Sequence, residues 1–80
     1  MYLYVLCGKK TKKYYIGVTD NIERRIIEHN NNKTHFTGKQ HEIWEVIFTK
    51  YFKEQCEARK EEMRLKRAKN KKYLEWYMKS

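Results

Sequence analysis

Two short runs of β-formers, residues 2–7 and 14–18, stand on either side of the polar stretch Gly8-Lys9-Lys10-Thr11-Lys12-Lys13. Runs of this kind, joined by a short glycine-bearing loop, close into an antiparallel hairpin. Side chains alternate across a strand, so each run sorts into two faces. Leu3, Val5 and Cys7 share one side of the first strand, and Tyr14, Ile16 and Val18 share one side of the second. The other sides carry Tyr4, and Tyr15 with Gly17. The hairpin thus offers one aliphatic face and one face of tyrosine and glycine. Its opening residues lack a basic leader and a cleavage site, which makes them a strand and not a signal peptide.

Beyond the hairpin, Thr19-Asp20-Asn21 supplies helix N-cap chemistry, with Glu23 as the capping-box partner of Asp20. The helix is expected over residues 21–29, with Ile22 and Ile26 as its buried stripe. Arg25 and His29 lie one turn apart on the edge of that stripe. Asn30-Asn31-Asn32 ends it, since asparagine tolerates left-handed cap geometry. Residues 33–41 form a basic loop containing Gly38. Residues 43–49 alternate as a third strand, with Trp44, Val46 and Phe48 on one side. A breaker-free helical composition runs over 53–69, and a final helix over 71–78 places Tyr73, Trp76 and Tyr77 at core spacing. Proline is absent. The expected fold is α+β: one domain over residues 1–80, a small three-stranded antiparallel sheet flanked by helices, in the order β-β-α-β-α-α.

A domain of 80 residues buries only about 60% of its unfolded surface, so its core is thin. Nineteen Lys and Arg against ten Asp and Glu give a formal charge of +9, which recruits polyanions by counterion release. No apolar run approaches the ~20 residues of a membrane span, so no membrane partner is expected. Cys7 and Cys56 lack zinc-ligand spacing and read as two buried thiols in a reducing, cytoplasmic compartment.

On the wheel of the second helix, Phe52, Cys56 and Met63 form one apolar row and Ala58 and Leu65 another. Between the rows lie Arg59, Glu62 and Lys66, whereas Glu57 and Glu61 fall outside the arc and read as solvated acids. A charge inside an apolar arc is costly unless it is paired, bound to metal or facing a cleft. Two readings of Glu62 stand: an i,i+4 ion pair with Lys66, or a metal ligand facing a scissile phosphate. Mg²⁺ suits a lone carboxylate, because it keeps several waters and takes further ligands from phosphate.

Taken together, these residues resemble the GIY-YIG endonuclease domain, and its small stand-alone members most of all. The resemblance spans essentially the whole chain. The first motif is degenerate as Tyr2-Leu3-Tyr4, agreeing only in its final tyrosine, and the second is intact as Tyr15-Ile16-Gly17. The family's helix arginine falls on Arg25, its following polar residue on His29, and its metal-binding glutamate on Glu62. The resemblance implies metal-dependent hydrolysis of phosphodiester bonds in DNA, with one Mg²⁺ or Mn²⁺ on Glu62. Arg25 would stabilise the phosphate and Tyr4 or Tyr15 would handle the proton of the attacking water, aided by neighbouring cations that favour phenolate. His29 would bind phosphate or relay a proton. Gly17, which permits close approach of backbone or substrate, Lys66, Thr37 and Lys39 are the nucleic-acid-binding candidates.

Plainer readings accompany each residue. The tyrosines could be ordinary sheet residues, Arg25 a surface ion pair with Glu28 or Glu62, and His29 a residue favoured by a helix C-terminus. The competing function is a non-catalytic nucleic-acid-binding module of the same fold. A chain this short is expected to carry no appended targeting domain, so selectivity would be weak, or come from a protein partner or from the 33–41 loop. Single-stranded, duplex and branched DNA are not ranked by these residues.

Overall fold

The computed structural model describes residues 1–31, 43–68 and 70–79. Its elements are β1 (Tyr2–Gly8), β2 (Tyr14–Thr19), α1 (Ile22–Asn31), β3 (Trp44–Tyr51), α2 (Gln55–Ala68) and α3 (Lys71–Lys79). The expected β-β-α-β-α-α order and three-stranded antiparallel sheet are present, with β1 central in the order β2-β1-β3. Thr37, Lys39 and the rest of the expected 33–41 loop lie outside the described residues.

The hairpin register sorts side chains as alternation requires. Leu3 pairs with Val18, Val5 with Ile16 and Cys7 with Tyr14. On this face Leu3 and Val5 pack with Leu65 of α2 and with Leu74 and Tyr77 of α3. On the other face Tyr4 pairs with Gly17 and Leu6 with Tyr15. Because β1 is central, residues on both of its faces are buried: Leu3, Tyr4, Val5 and Leu6 are at most 1% exposed.

The turn differs from expectation. Gly8 ends β1 and accepts from Lys12 N at 3.0 Å, and the residue that adopts a left-handed backbone is Lys12, at φ 60°. The third strand also departs from simple alternation. Val5 pairs with Phe48 but Leu6 pairs with Val46, so Ile47 is an extra residue in β3. That bulge switches faces along the strand. Phe48 meets Tyr77 edge-on at 5.6 Å on the core side, whereas the Trp44 ring meets Tyr15 and His29 on the other side. Trp44, Val46 and Phe48 therefore do not share one face.

The cap of α1 is Asn21, whose Oδ1 accepts from Arg24 N at 3.0 Å. The expected Asp20–Glu23 capping box is replaced: Asp20 instead pairs with Arg24 at 2.8 Å. Helix α1 ends at Asn31, within the expected asparagine run, and Asn30 falls in its last turn. The Asn30 amide donates to Trp44 O at 3.1 Å and its Oδ1 accepts from Trp44 N at 2.8 Å, tying the last turn of α1 to the start of β3.

Helix α2 buries only the Ala58–Leu65 row, while Phe52 is half-buried and Cys56 and Met63 are exposed. Cys7 is half-buried, so neither thiol is buried as expected. Tyr77 of α3 is buried and Tyr73 half-buried, but Trp76 is 63% exposed. Glu61 is no solvated acid. It accepts from the Tyr77 hydroxyl at 2.9 Å and from Arg64 Nε at 2.7 Å, and the arginine bond leads the causes that hold its carboxyl below the usual range. The sequence gives no local sign of this, because Tyr77 lies on another helix. No described helix is long and apolar enough to cross a membrane.

Candidate active site

On the tyrosine face of the sheet, Tyr4 projects from the central strand across β2. A Cβ on Gly17 would run into the Tyr4 ring and hydroxyl, so glycine is the residue that lets this side chain lie flat. The close approach Gly17 permits is by a side chain of its own sheet. The Tyr4 hydroxyl in turn accepts a hydrogen bond from Arg25 Nε at 3.1 Å. That bond crosses from sheet to helix and fixes where the guanidinium sits. The arginine side chain remains 44% exposed, with Nη1 at 3.7 Å from Glu28, an exposed pair worth little. Arg25 also lines a cleft of about 310 Å³ with Arg24, Thr19 and Gln55.

Tyr15 lies next to Tyr4, with ring centroids 6.5 Å apart, and is open to solvent. It contributes to the same electrostatic site: both tyrosines favour the charged state of Arg25, Tyr4 the more strongly. Behind Tyr15, His29 packs at 4.9 Å and meets Trp44 edge-on at 5.1 Å. Asn30 positions Trp44 through its backbone, so the end of α1 and the start of β3 together wall this side. His29 Nε2 and Trp44 Nε1 are buried without a hydrogen-bond partner among the described residues.

Two ionisations bear on the site. Cations were expected to draw a tyrosine toward phenolate, yet burial pushes the Tyr4 hydroxyl above its ordinary value and outweighs the opposing pull of Arg25. His29 was expected to bind phosphate or relay a proton, with a preference for the helix C-terminus as the plainer reading. Burial, reinforced by Arg25, lowers its pKa, so at neutral pH it is a neutral imidazole.

Glu62 is half-buried on α2, its side chain only 14% exposed, and Lys66 Nζ lies 3.2 Å from its carboxylate. The plain ion-pair reading of this glutamate is thus realised. Glu62 also reaches the tyrosine site electrostatically, adding a small further rise to the Tyr4 hydroxyl. Among the described residues no three His, Cys, Asp or Glu side chains converge to cage a metal. That donor set, one sequestered carboxylate, fits a hard cation that keeps its waters and takes phosphate oxygens as ligands. Tyr4, Tyr15, Arg25 and His29 thus form one connected cluster, with Glu62 near enough to act on it through space. Lys66 stands beside Glu62.

The family model for the GIY-YIG catalytic domain matches residues 1–75 of the chain. No curated protein and no solved structure gives a match.

Proposed function

Because the chain belongs to the GIY-YIG family, a nuclease-type fold, we propose that it is a metal-dependent endonuclease hydrolysing phosphodiester bonds in DNA. The observation that carries this reading is the Tyr4–Arg25 hydrogen bond, which holds an accessible guanidinium beside two tyrosines on the face that also senses Glu62.

Arg25 binds a non-bridging phosphate oxygen and neutralises charge as it builds in the transition state. Tyr4 acts as a neutral phenol. Its oxygen is engaged by Arg25, and its proton is free to donate to the attacking water or to the phosphate. Tyr15, the more exposed of the two tyrosines, orients the attacking water beside Arg25 and stands where it can take the water's proton. His29 holds the Tyr15 ring in position as a neutral packing partner. Glu62 would hold one Mg²⁺ or Mn²⁺. Such an ion supplies Lewis-acid stabilisation of the leaving oxygen and lowers the pKa of water. Lys66 then exchanges its Glu62 partner for the substrate backbone.

The Glu62–Lys66 contact favours a second reading, a nucleic-acid-binding module without turnover, because a carboxylate already paired at 3.2 Å is a poorer ligand. Incubation with single-stranded, duplex and branched DNA, in Mg²⁺ or Mn²⁺ against EDTA, separates the two. Metal-dependent cleavage of any of these supports the enzyme. Salt-sensitive binding with no cleavage of any of them supports the module.

A further inference from the structure

Away from the tyrosine face, the β1–β2 turn and the junction between α2 and α3 enclose a groove of about 450 Å³. Its rim is cationic: Lys12 and Lys13 come from the turn, and Lys66 and Lys71 from the helices. In the sequence these belong to two separate lysine-rich stretches, and the fold brings them to one opening. Its floor is apolar and includes Tyr14 and Leu65. Lys71 ties the two walls together, donating to Lys12 O at 3.4 Å and standing 5.1 Å from the Tyr14 ring centre. The Tyr14 hydroxyl is satisfied by Glu75 at 3.0 Å, so the groove is offered the ring and not its polar end.

We propose that this groove is an exosite for an unpaired strand of nucleic acid, giving the protein a preference for substrates with a single-stranded segment. The proposal rests on the nucleic-acid reading above. A lysine rim over an apolar, aromatic floor matches a ligand that carries phosphates and exposed base faces together. A duplex keeps its base faces stacked inside and is too wide to enter a groove of about 450 Å³, so it does not seat between the rim lysines. Lys66 belongs to the groove and also contacts Glu62, so a strand lying in the groove continues toward the proposed cleavage site.

Fluorescence anisotropy in EDTA, with a tailed duplex against a blunt duplex, tests this without any turnover. For Lys13→Gln/Lys71→Gln, affinity for the tailed duplex falls about tenfold, and the slope of log K against log salt becomes shallower by roughly 1.4, about 0.7 per lost phosphate contact on a single strand. Blunt-duplex affinity stays within about twofold. Because Lys71 also braces the turn, Lys13→Gln alone serves as the second variant, with about half the slope change, and thermal melting checks both folds. Equal losses on the two duplexes, or no loss on the tailed one, overturn the exosite while leaving nucleic-acid binding intact. If the unsubstituted protein binds neither duplex, the nucleic-acid reading itself falls, and the exosite with it.

Discussion

Across the Tyr4↔Gly17 pair, one residue lacks a side chain because the other lies on top of it. An alanine at Gly17 must displace the Tyr4 ring and with it the hydroxyl that anchors Arg25. Gly17→Ala is expected to destabilise the fold by about 1–3 kcal/mol in urea unfolding, as overpacking does. Most of that loss should disappear in a Tyr4→Ala background, and strictly additive costs would show that the two residues do not meet. His29 carries a pH signature. Its folded pKa is lowered, so the fold favours the neutral ring. Stability is therefore fully present above the unfolded value near 6.5 and is lost as pH falls from there toward the folded value. His29→Gln should flatten this part of the stability profile, and an unchanged slope would argue against burial of the ring. Arg25 and the tyrosines were legible as residue types at meaningful spacing. The ionisation of Tyr4 was not, because desolvation depends on Tyr4 lying in a central strand covered on both faces.

The element order was legible because period-2 runs and helical composition alternate cleanly along the chain. What escaped was everything set by a partner at a distance. The β3 bulge is a mismatch of register with β1, and no property of residues 44–51 alone reveals it. Asn21 and Asp20 were both plausible caps; Asn21 takes the position, and Asp20 pairs with Arg24 outside it. Asn30 read as part of a helix-ending run, which it is, but nothing local showed that it also clamps both backbone polar groups of Trp44. Removing that clamp should loosen the entry to β3 with α2 unaffected. Asn30→Ala is expected to cost about 1–2 kcal/mol, the worth of two ordinary hydrogen bonds. Hydrogen exchange should show faster opening at Trp44 and no change at Leu65. Equal loss of protection at both positions would mean that the clamp serves the whole domain and not this wall of the site.

For the molecule as a whole, a charge of +9 on 80 residues makes affinity for polyanions cheap, and binding alone distinguishes little. The discriminating feature is the proposed site, to which sheet, α1 and α2 would each contribute: Tyr4 and Tyr15 from the strands, Arg25 and His29 from the first helix, Glu62 from the second. The first four were named from the sequence and stand together in the fold. Glu62 was picked out as a charge within an apolar arc. It proves half-buried, though Cys56 and Met63, which helped define that arc, are exposed. Lys66 satisfies the same carboxylate, so geometry leaves ion pair and metal ligand as occupants of one position. The most direct measurement is the single-turnover rate of DNA cleavage in Mg²⁺ or Mn²⁺ for the unsubstituted protein and for Glu62→Ala, with DNA affinity measured in parallel. Catalysis through Glu62 predicts a fall in rate of about a hundredfold or more at near-unchanged affinity, the scale of losing several kcal/mol of transition-state stabilisation. Cleavage that survives Glu62→Ala at its original rate would contradict it.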